Sequence, residues 1–363
     1  AGWCWDKQSC SHPWQRMHGT SRIFPKTVEA LLPRATRFLQ SGLFDPVRSP
    51  LADANIAFVK SCSNDAFMGD RSPIEPVKGP FSQRLPDTGW HFRGRRIVEA
   101  VFADLQRQDG LGAQFGDRVV YGGCSAGARG AMVTIDYIAS SPSIVGKASV
   151  IGLLDSGFWV PISPKTSNPG WDSFGHQMRA AMLLTNSSEL VDKGCEMQYA
   201  GPERWKCLMG AYRLPFIRTP YFLVHSQYDV FALSMNLWGH YWIAHKFSPE
   251  DRVWAEAYRK MVVQYLPEPP ANSGKVLYSP ASYFHCIVTV PQFWTTTANG
   301  TGLANILSDW LQHPESSARI YEQCQGFNCG NHRQVRSLRA IPEKFTEPIL
   351  TYHSHSQPPV VLV

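Results

Sequence analysis

A β-branched run leads directly into a turn of small residues over positions 119–133, VVYGGCSAGARGAMV. Ser125 stands between Gly123 and Gly127, which is the Gly-x-Ser-x-Gly pattern of a tight strand-to-helix turn. We expect a strained backbone at this serine, and small residues at 123, 126 and 127 because bulky ones would collide with adjacent strands. The pattern also occurs by chance, in ordinary glycine-rich turns. A strand before it and a small-residue helix after it favour a nucleophilic serine.

Strand and helix patterns alternate on both sides of this turn. The spacing of apolar residues predicts helices over 94–108 and 128–138 and buried strands over 118–121, 148–154 and 221–225. This alternation is typical of the α/β class, with a mostly parallel sheet and helices on both faces.

The length of 363 residues, 44% of them hydrophobic, allows one large domain with insertions or two smaller domains. We expect a single domain over 1–350 and a loose tail over 351–363. Residues 161–215 are rich in Trp, Gly and Pro, and a helix is predicted over 174–184. We expect this segment to be an insertion, or lid region, that roofs a site.

A serine hydroxyl is a weak nucleophile near neutral pH unless a base takes its proton. In folds with this turn, the acid and the histidine lie on loops after later strands, in the order serine, acid, histidine. Asp155 ends the strand that follows the nucleophile helix, and Asp229 follows the next strand, in HSQYDVF. The usual spacing favours Asp229 as the acid, and Asp155 is then expected at the floor of the site.

Twelve histidines compete for the role of the base. His225 precedes the acid, and His240 and His245 flank a surface helix expected within 226–260, a stretch that we expect to be helical and surface-facing. His285, in SPASYFHCIVTV, follows Asp229 and is flanked by apolar segments, as a buried loop would be. A lone histidine is more often structural, so this choice depends on the order along the chain.

Three of the possible cysteine pairs are close in the sequence. They are Cys4 with Cys10, Cys195 with Cys207, and Cys324 with Cys329. In a secreted chain such pairs form disulfides that stabilise the loops, whereas disulfides are rare in a cytosolic chain. Glycosylation sequons at Asn186 and Asn299 point the same way, although sequons also arise by chance. We expect an extracellular or secretory-pathway protein, with free cysteines and accidental sequons as the alternative.

Charge and hydropathy argue against two classes of protein. The net charge is +6, but the densest basic cluster, RGRR at 93–96, is short and lacks interleaved aromatic residues, so no nucleic-acid partner is expected. No window reaches the roughly 18 consecutive apolar residues of a membrane span. Cys324, Cys329 and His332 have a loose metal-ligand spacing, and a disulfide between the two cysteines is the favoured interpretation.

Several short motifs together resemble the pectin acetylesterases and the related Notum carboxylesterases, which are α/β-hydrolases. In order, they are GWC at 2–4 with Cys10, CSNDAFMGD at 62–70, FRG at 92–94, GGCSAG at 122–127, LDSGF at 154–158, WKC at 205–207, the run from Thr219 to Asp229, and the segment around His285. No single motif is decisive. Their order and spacing over most of the chain make the resemblance specific.

The resemblance implies a serine esterase mechanism. Carried over by position, Ser125 is the nucleophile, His285 is the general base and then the general acid, and Asp229 orients the histidine. Neither a metal ion nor a cofactor is expected.

The resemblance also implies an oxyanion hole, formed by the backbone N–H of Gly2 or Trp3 together with that of Ala126. Related chains have a strand that leads into the GWC loop, whereas here nothing precedes Ala1. We therefore expect a sheet without the family's N-terminal strands, and a sequence that is a fragment of a longer precursor.

Two further positions depart from the family pattern. Ala128 and Arg129 stand where the family commonly has a second glycine, which predicts a more crowded entrance to the nucleophile helix. Ser282 stands three residues before His285, where a cysteine is common, which predicts that a disulfide near the catalytic loop has been lost.

These features predict a secreted carboxylesterase that removes an acyl group, which we expect to be acetyl from a pectin-type polysaccharide. The cysteine in GCSAG favours the polysaccharide branch, because Notum-type sequences more often have serine there. Removal of a fatty acyl group from an acylated protein is the alternative within the class. A non-catalytic binding protein on the same scaffold is the alternative outside it.

Overall fold

The computed structural model describes residues 2–12, 15, 19–21, 41–74, 90–168, 170–240, 246–327 and 329. The predicted tail over 351–363 and the candidate metal ligand His332 lie outside these ranges. Within them, no helix is both long enough and apolar enough to cross a bilayer.

Five parallel strands form the central sheet, and they lie side by side in the order in which they occur in the sequence. They are Arg118–Cys124, Ser149–Asp155, Tyr221–Val224, Lys275–Ser279 and Ala318–Tyr321. Because the strands are parallel, the loops that follow them meet at one edge of the sheet, where α/β proteins place their sites. In the described part of the chain, no strand pairs with the outer side of Arg118–Cys124, the nucleophile strand.

Helices cover this sheet. The longer α-helices are Gly94–Asp109, Ala126–Ala139, Phe174–Thr185, Val230–Trp238, Pro249–Tyr265 and Leu303–Gln312. The shorter ones are Lys7–Ser11, Pro142–Val145, Lys193–Gln198 and Gly210–Arg213. The 3-10 helices are Gly42–Phe44, Ser188–Leu190, Gly201–Leu208, Leu214–Phe216, Ile287–Thr289 and Pro291–Trp294. Two antiparallel pairs complete the described elements: Arg71–Ile74 with Trp90–Phe92, and Thr297–Ala298 with Thr301–Gly302.

The predicted helices and strands are present, with ends that differ by up to three residues. The prediction of a surface-facing helical stretch over 226–260 was wrong in one respect. Val230–Trp238 is mostly buried, because residues from the 161–215 segment cover it. The carbonyl of Asn236 in this helix accepts hydrogen bonds from the N–H groups of Lys165 and Thr166.

Alternate strand residues point to opposite faces, and each face has its own hydrophobic core. Val119 and Tyr121 belong to the core that the nucleophile helix covers. Val120 belongs to the second core, which the helix Leu303–Gln312 covers. The predicted α/β class, with a parallel sheet and helices on both faces, is therefore confirmed.

All three predicted disulfides are present: Cys4–Cys10, Cys195–Cys207 and Cys324–Cys329. Because Cys324 and Cys329 are bonded to each other, their thiolates are not available as the metal ligands considered above. Both sequon asparagines, Asn186 and Asn299, are exposed.

Candidate active site

The nucleophile strand ends at Cys124, and the nucleophile helix begins at Ala126. Ser125, between them, has φ 59° and ψ −121°, a conformation that residues with a side chain rarely adopt. Its N–H donates to the carbonyl of Asp155 on the neighbouring strand, at 2.8 Å, and its own carbonyl accepts from the N–H of Arg129. The expected strain at the serine is thus present, and hydrogen bonds on both sides hold it.

The need for small residues around the turn differs from one glycine to the next. A Cβ at Gly123 would lie 2.9 Å from the backbone of Gly127, so the first glycine of the pattern is sterically required. A Cβ at Gly127 would meet nothing within 4 Å, so this position has room for at least the methyl group of an alanine. The tightest approach is one turn further on, at Gly130, where a Cβ would lie 1.8 Å from the carbonyl oxygen of Ala66.

Asp229 and His285 are in direct contact. Nδ1 of His285 lies 2.7 Å from the Asp229 carboxylate. Asp229 is fully buried, caps the helix Val230–Trp238, and accepts a second hydrogen bond from the N–H of Ala232 at 2.9 Å. Because a carboxylate only accepts, Nδ1 must carry the proton, which leaves Nε2 available as a base.

The electrostatics of this pair are mutually reinforcing. Burial favours the neutral acid, but the charge and hydrogen bond of His285 outweigh it and hold the pKa of Asp229 below its ordinary value. Burial disfavours the imidazolium, but the Asp229 carboxylate outweighs it and raises the pKa of His285. The pair therefore stabilises a proton on His285, as a base that takes a proton from serine requires.

Asp155 forms no hydrogen bond with the His285 ring among the described residues. Its carboxylate accepts from the N–H of Val288 and from the hydroxyl of Ser156, both at 2.9 Å. Burial raises its pKa to about 6. The contact with the histidine is thus made by Asp229, and a place for Asp155 at the floor of the site stays a prediction.

The loop that carries His285 is joined covalently to the serine turn. Cys124 and Cys286, the neighbours of Ser125 and His285, form a fourth disulfide with a Cα–Cα distance of 5.4 Å. The loop therefore has a disulfide at Cys286, whereas position 282, where the loss of one was expected, is a serine. Ser282, the basis of that expectation, shares a hydrogen bond with Ser226 at 2.7 Å.

This cross-link brings the serine turn and the histidine together. Both sulfur atoms and a ring nitrogen of His285 lie within 4.8 Å of one another. A metal ion could use these three groups only after reduction of the disulfide, since thiolates are the ligands. Among the described residues, His285 is hydrogen-bonded to Asp229, whereas Ser125 and His285 are not hydrogen-bonded to each other. Hydrogen bonds between catalytic groups often form fully only when substrate binds.

The N-terminal loop carries Gly2 and Trp3, the residues predicted to contribute an oxyanion donor. Trp3 forms an antiparallel bridge with Asp65, but the two hydrogen bonds of the bridge come from the N–H groups of Cys4 and Ala66. The N–H of Trp3 therefore points away from the Asp65 segment, and no hydrogen-bond acceptor contacts it among the described residues. Ala126 opens the nucleophile helix, where an N–H has no partner within the helix. The N–H groups of Trp3 and Ala126 are thus both without a partner in the described part of the chain, and the oxyanion hole of Gly2 or Trp3 with Ala126 stays a prediction.

Arg129 explains how the helix entrance accommodates its extra bulk. The side chain is fully buried, and its guanidinium lies 4.4 Å from the ring centre of Trp3 and 5.4 Å from that of Trp159. Burial lowers its pKa to about 9. Arg129 thus puts a cation against the indole of Trp3.

A pocket of about 530 Å³ opens beside Ser125. Its apolar wall consists of Trp3, Trp5, Trp171, Phe231 and Met235. Phe231 also stacks on the ring of His285, with ring centres 5.1 Å apart. Trp171 belongs to the 161–215 segment, so the predicted insertion does contribute to the wall of the site.

Sequence reasoning missed three groups that hold the site together. The hydroxyl of Ser156 accepts from the N–H of Cys286, at 2.9 Å, and the side chain of Gln177 accepts from the indole of Trp3, also at 2.9 Å. The third is the Cys124–Cys286 disulfide. A signal for it was available: if Ser125 and His285 meet, the cysteines next to them must also be close.

The parallel sheet, the strained serine and the buried Asp229–His285 pair define the class as α/β-hydrolase-like. The description "Pectinacetylesterase" belongs to the family model that matches residues 1–330, and the chain belongs to that family. The predicted resemblance is confirmed.

Individual relatives come from both branches of the resemblance. The chain is 23% identical over 335 residues to palmitoleoyl-protein carboxylesterase notum1' of Xenopus laevis, covering 88% of this chain and 62% of that protein. It is 26% identical over 237 residues to pectin acetylesterase 4 of Arabidopsis thaliana, covering 65% of this chain and 51% of that protein. The chain thus spans less than two thirds of the length of these curated relatives.

A solved structure supports the fold. The Wnt deacylase Notum from Drosophila matches with a TM-score of 0.71 and 22% identity, over 91% of this chain and 87% of that chain. This likeness establishes the α/β-hydrolase-like architecture.

Proposed function

We propose that this protein is a serine carboxylesterase that removes acetyl groups from a pectin-type polysaccharide. The observation that carries the proposal is the 2.7 Å contact between His285 and the buried Asp229, on a loop cross-linked to the strained Ser125 turn. Membership of the pectinacetylesterase family supports acetyl esters of polysaccharide as the substrate class.

In this mechanism, Nε2 of His285 takes the proton of the Ser125 hydroxyl while the serine oxygen attacks the ester carbonyl. The carbonyl oxygen becomes an oxyanion, which the N–H groups of Trp3 and Ala126 stabilise by about 3 kcal/mol each. His285 then gives its proton to the leaving alcohol oxygen. Water, deprotonated by His285, attacks the acyl-enzyme and releases acetate and the free serine. Asp229 stabilises the imidazolium during both acylation and deacylation.

A second candidate is the removal of a fatty acyl group from an acylated protein. The pocket favours it, because about 530 Å³ with five apolar side chains on its wall is far larger than an acetyl group requires. One relative is named a palmitoleoyl-protein carboxylesterase, which is consistent with this candidate. If the substrate is an acetylated polysaccharide, the same aromatic surface would contact sugar rings instead.

An acyl-length series of p-nitrophenyl esters, from acetyl to hexadecanoyl, separates the two candidates. We expect the highest kcat/KM with acetyl, and loss of activity in Ser125→Ala for every ester. A kcat/KM that rises steadily to long chains would replace the polysaccharide proposal with lipid removal. A matched test on acetylated pectin, measured by released acetate, should agree with the ester series.

The remaining alternative is a binding protein that uses the scaffold without catalysis. A fluorophosphonate probe tests it, since the probe reacts with an activated serine. We expect one adduct, on Ser125, that disappears in Ser125→Ala. A folded protein without an adduct would favour binding alone.

We also propose that the protein acts in an oxidising, extracellular or secretory-pathway compartment. Four disulfides and two exposed sequon asparagines support this location. Expression through the secretory pathway should give glycan at Asn186 or Asn299, and unmodified asparagines would count against it.

A further inference from the structure

We propose that the Cys124–Cys286 disulfide positions the base against the nucleophile, so that Cys124 and Cys286 act as positioning residues for hydrolysis. The inference rests on the proposed esterase function. It concerns what holds the reacting groups together and not the groups themselves.

The disulfide lies next to both proposed reacting residues. Cys124 is the immediate neighbour of Ser125, and Cys286 is the immediate neighbour of His285. The two cysteines are 162 residues apart in sequence, and their Cα atoms are 5.4 Å apart. Because a disulfide restricts this separation to about 4.4–6.8 Å, it also restricts the separation of the backbones that carry the serine and the histidine.

The histidine loop lacks the support of regular secondary structure. After the strand Lys275–Ser279, the next described element is the 3-10 helix that starts at Ile287, so His285 lies in irregular backbone. Cys286 itself has φ 65°, a conformation that is unfavourable for a residue with a side chain. A strained, irregular segment keeps one conformation only when other contacts impose it.

Among the described residues, the other hydrogen bonds of the loop go to groups outside the nucleophile turn. On the N-terminal side Ser282 bonds to Ser226 and to the N–H of Tyr228, and His285 itself bonds to Asp229.

Two further hydrogen bonds lie on the C-terminal side. The N–H of Cys286 donates to Ser156, and the N–H of Val288 donates to Asp155. Each hydrogen bond contributes about 1 kcal/mol net, and both attach residues on the C-terminal side of His285. The disulfide is the attachment that joins the loop directly to the nucleophile turn.

A small displacement would have a large effect on the rate. Proton transfer from Ser125 requires Nε2 within hydrogen-bond reach of the hydroxyl, and misplacement by about 1 Å can lower the rate about 100-fold. Loss of the cross-link should therefore lower kcat and leave KM nearly unchanged, since the pocket wall does not include either cysteine.

The first test compares two double variants. Cys124→Ser/Cys286→Ser removes the proposed positioning disulfide, and Cys195→Ser/Cys207→Ser removes a disulfide from the 161–215 insertion as the matched control. With p-nitrophenyl acetate, well below the melting temperature of each variant, we expect kcat to fall by about 10- to 100-fold in the first and by less than about 2-fold in the second. KM should stay within about 2-fold in both.

A second measurement, on the wild-type protein, tests the inference even if the double variant fails to fold. Folded wild-type protein is treated with a dithiol, which reduces the disulfide to two thiols and is itself oxidised to a cyclic disulfide. Thiol alkylation and peptide mapping then follow each pair over time. The loss of kcat should track opening of Cys124–Cys286 and not of Cys195–Cys207, and reoxidation should restore it.

The outcomes separate this inference from the function on which it rests. An active wild type together with an equally active, folded Cys124→Ser/Cys286→Ser variant overturns the positioning role alone. Free thiols at 124 and 286 in untreated, active wild type also overturn it. A wild type without Ser125-dependent hydrolysis overturns the esterase function and, with it, this role.

Discussion

The two halves of the proposed active site are held in different ways. Ser125, Asp229 and His285 follow strands of the central sheet, and a disulfide and a buried hydrogen bond connect them. The oxyanion half depends on Trp3, in a loop outside that sheet. Its backbone is held by an isolated bridge to Asp65 and by a hydrogen bond from the Gln15 side chain, and its side chain by contacts with distant residues.

This difference predicts how each half responds to substitution. In the first half, a single change removes a reacting group or its partner, so the effect should fall on the chemistry. In the second half, the donor is a backbone N–H that no side-chain substitution removes. Changes there should act through position and stability, with smaller effects on rate.

Asp229→Asn should have the largest effect on the rate. The amide cannot stabilise the imidazolium and favours the wrong tautomer of His285, so we expect kcat to fall about 10⁴-fold. The measurement is kcat with p-nitrophenyl acetate. Asp155→Asn is the control, since Asp155 does not bond to the ring, and its loss should be about 10-fold or less. Equal losses would mean that the two carboxylates share the role.

Gly130→Ala should produce the next largest effect, by connecting the two halves. A methyl group there would press on the carbonyl of Ala66, whose N–H is part of the Trp3–Asp65 bridge. We expect the unfolding free energy to fall by about 1–3 kcal/mol and kcat to fall as the oxyanion loop shifts.

Gly127→Ala is the matched control for Gly130→Ala, because the space around Gly127 is open. We expect unchanged or slightly higher stability, since alanine favours a helix over glycine by about 0.5–1 kcal/mol. Chemical denaturation of the two variants measures the contrast. If Gly127→Ala were the more destabilised of the two, the close contact of Gly130 with Ala66 would not be the tightest point of the helix entrance.

Gln177→Met tests the side-chain support of Trp3. It leaves the buried indole N–H of Trp3 without its acceptor at 2.9 Å, so we expect a loss of about 1–3 kcal/mol in unfolding free energy and less than 10-fold in kcat. A double-mutant cycle with Trp3→Phe isolates the pair. Additive effects in that cycle would show that the hydrogen bond does not couple the two residues.

The pH dependence should show the smallest effect. His285 can accept the serine proton only when neutral, and its pKa is raised by Asp229, so the acid limb of kcat/KM should have its midpoint above about 6.5. Burial lowers the pKa of His225 to about 4, so this second histidine does not set that limb. Asp229→Asn should move the midpoint downward, and an unmoved limb would assign it to another group.

The same shifts fix the sign of the stability change with pH. Stabilisation from the raised pKa of His285 is complete below about 6.5 and is lost as pH rises through the raised value. Stabilisation from the lowered pKa of Asp229 is present above about 3.9 and is lost as pH falls through the lowered value. Unfolding free energies measured across both windows check the two signs.

Much of the sheet could be predicted from local pattern. Parallel strands that are buried on both faces are continuous apolar runs, and a strained serine turn requires glycine at 123, so both are visible in a short window. The choice of Asp229 over Asp155 followed from chain order and spacing. The close approach of Gly130 to Ala66 could not be predicted from the motif, because the neighbours in space decide which positions are most crowded.

The α/β class, the serine turn, the three short-range disulfides and the family could all be predicted from the chain, because each depends on residues close together in it or on the order of motifs. The pairing of Cys124 with Cys286, the contact of Arg129 with Trp3 and the approach of Gly130 to Ala66 became visible only in the folded protein. These contacts join segments that are about 60 to 160 residues apart. No local rule fixes such a distance, since it results from the packing of the whole sheet and its covering loops.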